Sequence, residues 1–106
     1  MQVEASGTQA AVITTEHTLT TVSTDNKVLQ LMVDMGNMVN GDIVEIREKS
    51  KALAGSTARE RLWIFAHAQV DKEFYSEPIG SPQDTVYTLK QTAGVGRNFD
   101  WSANSF

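Results

Sequence analysis

Residues 93–97 read Ala-Gly-Val-Gly-Arg, and this glycine pair followed by arginine is the first pattern in the chain that could do chemistry. In a phosphate-binding loop, such glycines follow a strand and open a helix whose N-terminal amides face the anion. Residues 97–101 instead alternate in polarity with a period of two, which indicates a strand. We therefore expect Gly94 and Gly96 to supply positive φ in a hairpin turn, and Arg97 to be a surface or partner contact.

The two histidines, His17 and His67, have neither the His-x-x-x-His nor the His-Glu-x-x-His spacing of metal sites. His67 lies two residues after Phe65 in an alternating run, so a half-buried, hydrogen-bonded side chain is expected there. The absence of cysteine excludes disulfides, thiol nucleophiles and cysteine-ligated metals. We expect no catalytic residue, no metal and no cofactor, and hence no enzyme.

Oxygen-bearing side chains also cluster between residues 34 and 42, where Asp34, Asn37 and Asp42 faintly resemble calcium ligands. Their spacing differs from that of the EF-hand loop, and Asp and Asn are common in turns because they bond to nearby backbone groups. We expect them to cap turns.

Composition predicts one soluble globular domain with a real core, since the chain has 106 residues of which 41% are hydrophobic. The net charge of -4 argues against a nucleic-acid partner, which would require clustered Lys and Arg. Residues 45–61 carry five basic and three acidic side chains, and we interpret them as a solvated hairpin. Neither a signal peptide nor a membrane span is evident, so no membrane partner is expected.

Alternation of β-branched and polar residues, bounded by Gly, Asn, Asp and Pro, predicts about eight short strands. They are expected at residues 9–17, 19–23, 27–34, 42–51, 58–69, 73–77, 84–92 and 97–103. The predicted fold class is all-β, an antiparallel two-sheet β-sandwich of jelly-roll type, with an immunoglobulin-like sandwich as the open alternative. Residues 1–106 form a single domain in this prediction, with residues 1–8 as a candidate N-terminal arm.

Turn-forming residues predict how these strands are connected. Asp25-Asn26 and residues 54–57 are expected to close hairpins, whereas residues 35–42 are expected to carry the chain to another part of the structure. The segment 78–82 begins and ends with proline, which cannot donate to a ladder. We therefore expect a loop there that crosses from one sheet or edge to the next.

Two of the predicted strands differ in whether one or both of their faces are apolar. Leu29, Leu31 and Val33 form one fully apolar face, which predicts a core strand. Residues 62–69 have apolar side chains on both faces, so we expect that strand to be covered on its outer side or to lie against another subunit. The aromatic residues are concentrated in the second half of the chain. A core there is expected, with Trp63, Phe65 and Phe106 as alternative interface residues.

Four segments, LMVDMGNMVNGDIVEIRE, FAHAQ, YSEPI and TLKQTAGVGRNFDW, resemble a family of small proteins encoded in tailed-bacteriophage genomes. The resemblance covers about residues 27–101 and is strongest in the last segment. It differs where this chain has Glu48-Lys49-Ser50-Lys51 in place of apolar or aromatic residues, so that hairpin is expected to meet a different surface. The family implies a virion setting and offers no catalytic residues.

The composition and the resemblance together predict a non-enzymatic virion structural protein, a capsid cement or decoration protein on the capsid surface. Its expected partners are the major capsid protein and further copies of itself, as a homodimer or homotrimer. A tail, baseplate or fibre component that binds host glycan is the alternative. The predicted interface consists of Trp63, Phe65, Arg97, Phe106, Met1, Gln2 and Val3.

Overall fold

A computed structural model describes residues 1–23, 27–81 and 83–106, and over these residues the chain forms nine antiparallel strands and no helix. Sheet A contains β1 (Gln2–Ala10), β9 (Asn98–Ser105), β3 (Lys27–Asp34) and, along one edge, β6 (Glu73–Tyr75) and β7 (Ile79–Ser81). Sheet B contains β2 (Glu16–Val22), β8 (Thr85–Ala93), β4 (Ile43–Ser50) and β5 (Arg59–Ala66). No helix of the described residues could therefore cross a membrane.

The strand order is that of a jelly roll. Sheet A runs β1-β9-β3-β6, with β7 also on β3, and sheet B runs β2-β8-β4-β5. Because β6 and β7 share one edge of β3, they act as a single interrupted strand. The fold therefore has eight strand positions, four in each of two sheets. The predicted antiparallel β-sandwich is confirmed.

The core lies between the two sheets and follows the alternation in the sequence. In β3 the inward Leu29, Leu31 and Val33 are almost fully buried, as predicted, while Val28 on the other face is exposed. Removing each such leucine from water contributes on the order of 2 kcal/mol before entropy is counted. The remaining large core side chains include Met35, Val44, Ile46, Tyr87, Leu89 and Phe99.

The N-terminal prediction was wrong. Residues 2–10 are not an arm but strand β1, which pairs with β9 from Gln2 opposite Ser105 to Ala10 opposite Asn98. The predicted strand 9–17 is broken by a turn in which Thr14 has a φ of 67° and Thr15 donates to the Val12 carbonyl. No Gly or Pro marks that turn, so the threonine-rich sequence resembled a continuous strand.

The connections match the predictions in part. The hairpin between β4 and β5 is confirmed, as is the crossing from sheet A to sheet B over residues 35–42. Asp25-Asn26 lies outside the described residues, and the strands on either side of it belong to different sheets. The segment after Pro78 is not only a loop, because Ile79–Ser81 pairs with β3 as an edge strand before the chain crosses to sheet B.

Candidate functional site

The Gly94-Val95-Gly96 turn is an arch between the two sheets, since β8 lies in sheet B and β9 in sheet A. The predicted hairpin was therefore wrong, and of the two glycines expected to have positive φ, Gly94 does (89°) and Gly96 does not. A Cβ on Gly94 would lie 1.9 Å from the Asp42 carboxylate, and one on Gly96 would lie 2.3 Å from the Ala11 carbonyl. These glycines allow close packing of the arch.

Gln91 holds the arch from inside. It is fully buried, and its side-chain amide donates to the carbonyls of Ala93 (3.0 Å) and Val95 (2.8 Å). The side-chain oxygen of Gln91, Oε1, accepts the backbone N–H of Arg97 at 3.1 Å. The backbone N–H of Arg97, a donor that could have met a phosphate, is thus used within the protein.

Arg97 closes the same arch through an ion pair. Its Nε donates to Asp42 Oδ2 at 2.9 Å, and the Asp42 side chain is only 1% exposed. Burial alone would raise the pKa of Asp42, but the hydrogen bonds from Arg97 and from the Val39 and Val95 amides hold it below its ordinary value. Arg97 therefore has an intramolecular partner, and its predicted role as a virion contact stays a prediction.

His67 has a structural position in the adjoining turn. The Nδ1 atom of its ring accepts the backbone N–H of Gly41 at 3.0 Å, and the backbone N–H of His67 donates to the Asp42 carbonyl at 2.8 Å. The side chain is hydrogen-bonded as expected, but it is exposed and not half-buried, because a φ of 68° turns it away from the strand. His17 likewise accepts a backbone N–H, from Val12.

Two of the three oxygen-bearing residues of the 34–42 segment cap turns as expected, whereas Asn37 bonds to the start of the distant strand β9. Asp34 accepts the Gly36 N–H, Asn37 donates to the Asn98 carbonyl, and Asp42 accepts the Val39 N–H. Within the described ranges, no group of three His, Cys, Asp or Glu side chains could hold a metal ion.

Trp63 and Phe65 face the inside of the sandwich. Both are half-buried against Phe74 of β6, with ring-centre distances of 5.2 Å and 5.0 Å. This aromatic cluster closes the side of the sandwich where β5 and β6 face each other, which agrees with the core interpretation of these rings. Their interface role stays a prediction.

The other four predicted interface residues meet at one end of sheet A. Gln2 and Val3 pair with Ser105 and Asn104, and the Phe106 N–H donates to the Val28 carbonyl at 3.0 Å. Exposed large apolar side chains gather there on the outer face, and we call them the terminal patch: Met1, Val3, Val28 and Phe106. Val28 was not predicted as a contact residue, although its position opposite the core face of β3 could have indicated it.

A partly buried polar cluster links the strands beneath the terminal patch. Glu4 of β1 accepts from Lys27 of β3 and from the Ser105 hydroxyl of β9, the latter at 2.6 Å. These bonds, that from Lys27 foremost, lower the pKa of Glu4. One carboxylate therefore joins all three strands beneath the terminal patch.

The outer face of β5 is the second exposed apolar surface. Leu62 is 47% exposed and Ile64 60%, so the described residues of this chain do not cover that face, and the alternative, that it lies against another subunit, stays a prediction. Beside it, an ion-pair network crosses sheet B, with Arg47 on Glu45 (2.8 Å) and Lys49 on Glu16 (2.8 Å). The basic excess of residues 45–61 is thus largely paired on the surface.

Glu48 was expected to give the β4 hairpin a different surface, but it points into the sandwich and is 1% exposed. It lies opposite Tyr87 of β8 and Arg61 of β5. Burial raises the pKa of Glu48, and the Tyr87 hydroxyl and the Arg61 charge offset this only in part. Burial and the nearby carboxylate also raise the pKa of Tyr87. Strict alternation after Val44 and Ile46 could have predicted this position.

No protein-family model, no curated protein and no solved structure matches this chain. The resemblance to tailed-phage proteins therefore stands on the sequence segments alone and remains a prediction. Several residues of those segments have structural roles here, including Asp42, His67, Gln91 and Arg97.

Proposed function

We propose that this chain is a non-enzymatic structural protein of a bacteriophage virion, a cement or decoration protein that binds the outer capsid surface. The observation that carries the proposal is the terminal patch, in which four exposed apolar side chains sit on a sheet whose strands are tied by Glu4. Exposed apolar clusters of this kind mark protein contact sites. Its proposed occupant is the major capsid protein.

Rigidity is what a clamp between capsid subunits requires. A preorganised surface binds without a large entropy cost, and contacts to two or more neighbouring subunits add through effective concentration. Several copies acting together, as a dimer or trimer, would multiply these contacts and resist the internal pressure of packaged DNA. The proposed location is therefore the capsid surface.

A tail or fibre component with glycan binding is the alternative function, and it would need an exposed aromatic platform. Of the described aromatic residues, Tyr75 and Phe106 are exposed, and Phe106 belongs to the terminal patch. The Trp101 ring packs over Gly7 and against the core. This distribution supports a protein contact over a glycan site.

Co-sedimentation with mature heads that lack the protein tests the proposal. We expect saturable binding at a fixed integer ratio to the major capsid protein. The double variant Val3→Ser/Phe106→Ser should weaken binding at least tenfold without lowering the melting temperature by more than a few degrees. Val70→Ser is the matched control, because Val70 is 97% exposed and lies outside the terminal patch.

Two outcomes would contradict the proposal. Failure to bind heads, combined with binding to purified tails or to host cells, would assign the chain to the adsorption apparatus. Equal binding by the double variant and the wild type would remove the terminal patch as the contact surface.

A further inference from the structure

The four sheet edges differ in how they are protected against pairing with another chain. Exposed edges are usually protected by bulges, prolines, short strands or charged side chains. β1 and β2 each contain a register shift, at Val3/Ala5 and Thr18/Thr20, and β6 and β7 have three residues each. β5 has eight residues, no proline and an uninterrupted register with β4. Among the described strands, β5 thus has a regular edge, with charged side chains only in its first three residues, Arg59, Glu60 and Arg61.

The direction of the β5 backbone groups follows from one hydrogen bond. Ile43 lies opposite Ala66, which places Asp42 opposite His67, and the His67 N–H donates to the Asp42 carbonyl. Hydrogen-bonded pairs alternate along an antiparallel ladder, so the odd-numbered residues of β5 direct their backbone groups to β4. The even-numbered residues therefore direct theirs to the free edge.

One of these outward groups already has a partner, since the Gln69 side-chain amide donates to the Ala66 carbonyl at 2.9 Å. Outward N–H and C=O groups remain at Glu60, Leu62 and Ile64, which we call the β5 edge. This set is symmetric about Leu62. A second copy can pair with it antiparallel, with Leu62 opposite Leu62 and Glu60 opposite Ile64.

Side chains of the β5 edge suit such self-pairing. The two exposed Leu62 side chains would meet across the symmetry axis, and each Ile64 would pack on the methylenes of the opposing Glu60. On the inner face, Arg61, which pairs with Glu77 of its own chain at 3.2 Å, would lie opposite Trp63. No like charges are placed directly opposite each other in this register.

We infer that the chain forms a two-fold symmetric homodimer through the β5 edge, which joins the two four-stranded copies of sheet B into one continuous sheet. The inference concerns a surface separate from the terminal patch, and it stands whether or not the partner there is a capsid protein. The dimer leaves both terminal patches on sheet A free, so that two can act together.

Cysteine cross-linking tests the dimer directly, because the natural chain has no cysteine. Opposed residues of a hydrogen-bonded pair have Cα atoms about 5.5 Å apart, which a disulfide spans. Leu62→Cys should therefore cross-link to a species of twice the 11.7 kDa chain mass under mild oxidation. Val12→Cys should not, since Val12 is 59% exposed but precedes β2 at the opposite edge of the sheet.

Light scattering without any cysteine gives the second readout. The wild type should move from monomer to dimer as concentration rises, whereas Leu62→Lys should stay monomeric with a circular dichroism spectrum like that of the wild type. Val12→Lys should dimerise normally. A wild type that remains monomeric up to millimolar concentration, or equal cross-linking at positions 62 and 12, would overturn the inference.

Discussion

Arg97 and Asp42 form an ion pair between the arch that joins the two sheets and the segment that begins β4, with 2.9 Å between Nε and Oδ2. They are 55 residues apart in the sequence. The carboxylate is buried while the guanidinium is partly exposed, so the arginine supplies the compensation that lets a charge reside in the interior. An arginine that composition suggests for partner contact thus stabilises the fold.

Arg97→Ala should destabilise the protein by about 2 to 3 kcal/mol at neutral pH, since it leaves a buried carboxylate without its charged donor. Denaturant unfolding measures this loss. Lys51→Ala, in the β4–β5 loop, is the charge-matched control and should change stability by less than about 0.5 kcal/mol.

The same variant should show a defined pH dependence. In the wild type the lowered pKa of Asp42 means that its stabilising effect is present above the ordinary aspartate pKa and is lost as pH falls through the lower folded value. In Arg97→Ala, the arginine that offsets the effect of burial on the Asp42 carboxylate is absent, so the pKa of Asp42 rises. The stability deficit should therefore grow as pH rises from the lowered folded pKa of the wild type through the raised pKa of the variant. A deficit that is constant with pH would show that the pair does not act through charge.

Gly94→Ala should be strongly destabilising, because the new Cβ would collide with the Asp42 carboxylate at a φ of 89°. We expect a loss of about 2 to 4 kcal/mol from backbone strain together with displacement of the ion pair. Gly55→Ala is the control, since nothing lies within 4 Å of its Cβ position, and it should be close to neutral. Equal melting temperatures for the two variants would contradict the packing of the arch.

Glu48→Gln should stabilise the protein at pH 7 by on the order of 1 kcal/mol, because the amide cannot ionise and so avoids the penalty that burial places on the charged form of Glu48. The folded pKa of Glu48 is raised, so its contribution to stability declines as pH rises from the ordinary glutamate value through the folded value. The gain from the substitution should therefore vanish near pH 4.

Glu45→Gln is the control for that experiment, since Glu45 lies on the outer face of the same strand and pairs with Arg47. It should give a change below about 1 kcal/mol at pH 7. A marked loss of stability in Glu48→Gln at neutral pH would mean that the ionised carboxylate is needed in the core.

Phe74→Ala should cost about 3 kcal/mol, because its ring packs on both Trp63 and Phe65 and closes one side of the sandwich. Near-ultraviolet circular dichroism should report the loss of ordered Trp63 packing. The adjacent Tyr75→Ala is the control, since Tyr75 is exposed, and it should leave the spectrum and the stability nearly unchanged.

The fold class could be predicted from the sequence, whereas the ends of several strands could not. Strict alternation in residues 27–34 identified the inner face of β3, because a strand buried on one side requires it. The turn at Thr14 escaped prediction because no Gly or Pro marks it, and β7 escaped because an edge strand tolerates flanking prolines. Long-range pairing gives no local signal, which is why β1 resembled an arm.

The candidate site residues could likewise be predicted from residue type, but their contacts, which depend on long-range pairing, could not. Met1, Val3 and Phe106 were predicted from residue type, and the structure brings them together because β1 pairs with β9. The partner of Arg97 could not be predicted, since nothing in the sequence relates position 97 to position 42. Residue type indicates what a side chain can do, whereas the tertiary pairing decides what it meets.

The position of β9 between β1 and β3 also bears on synthesis by the ribosome. β1 is translated well before its ladder partner β9, the last strand of the fold, so sheet A cannot be completed until β9 has been translated, although β3 can pair earlier with β6 and β7. Of the described strands, β4 and β5 pair as consecutive neighbours and can associate early. Assembly that waits for distant segments is slow. A nascent chain of this protein therefore exposes unpaired strands during elongation. The free edge of β5, through which we infer that the folded chain dimerises, is then open to pairing with other unfolded chains, which leads to aggregation.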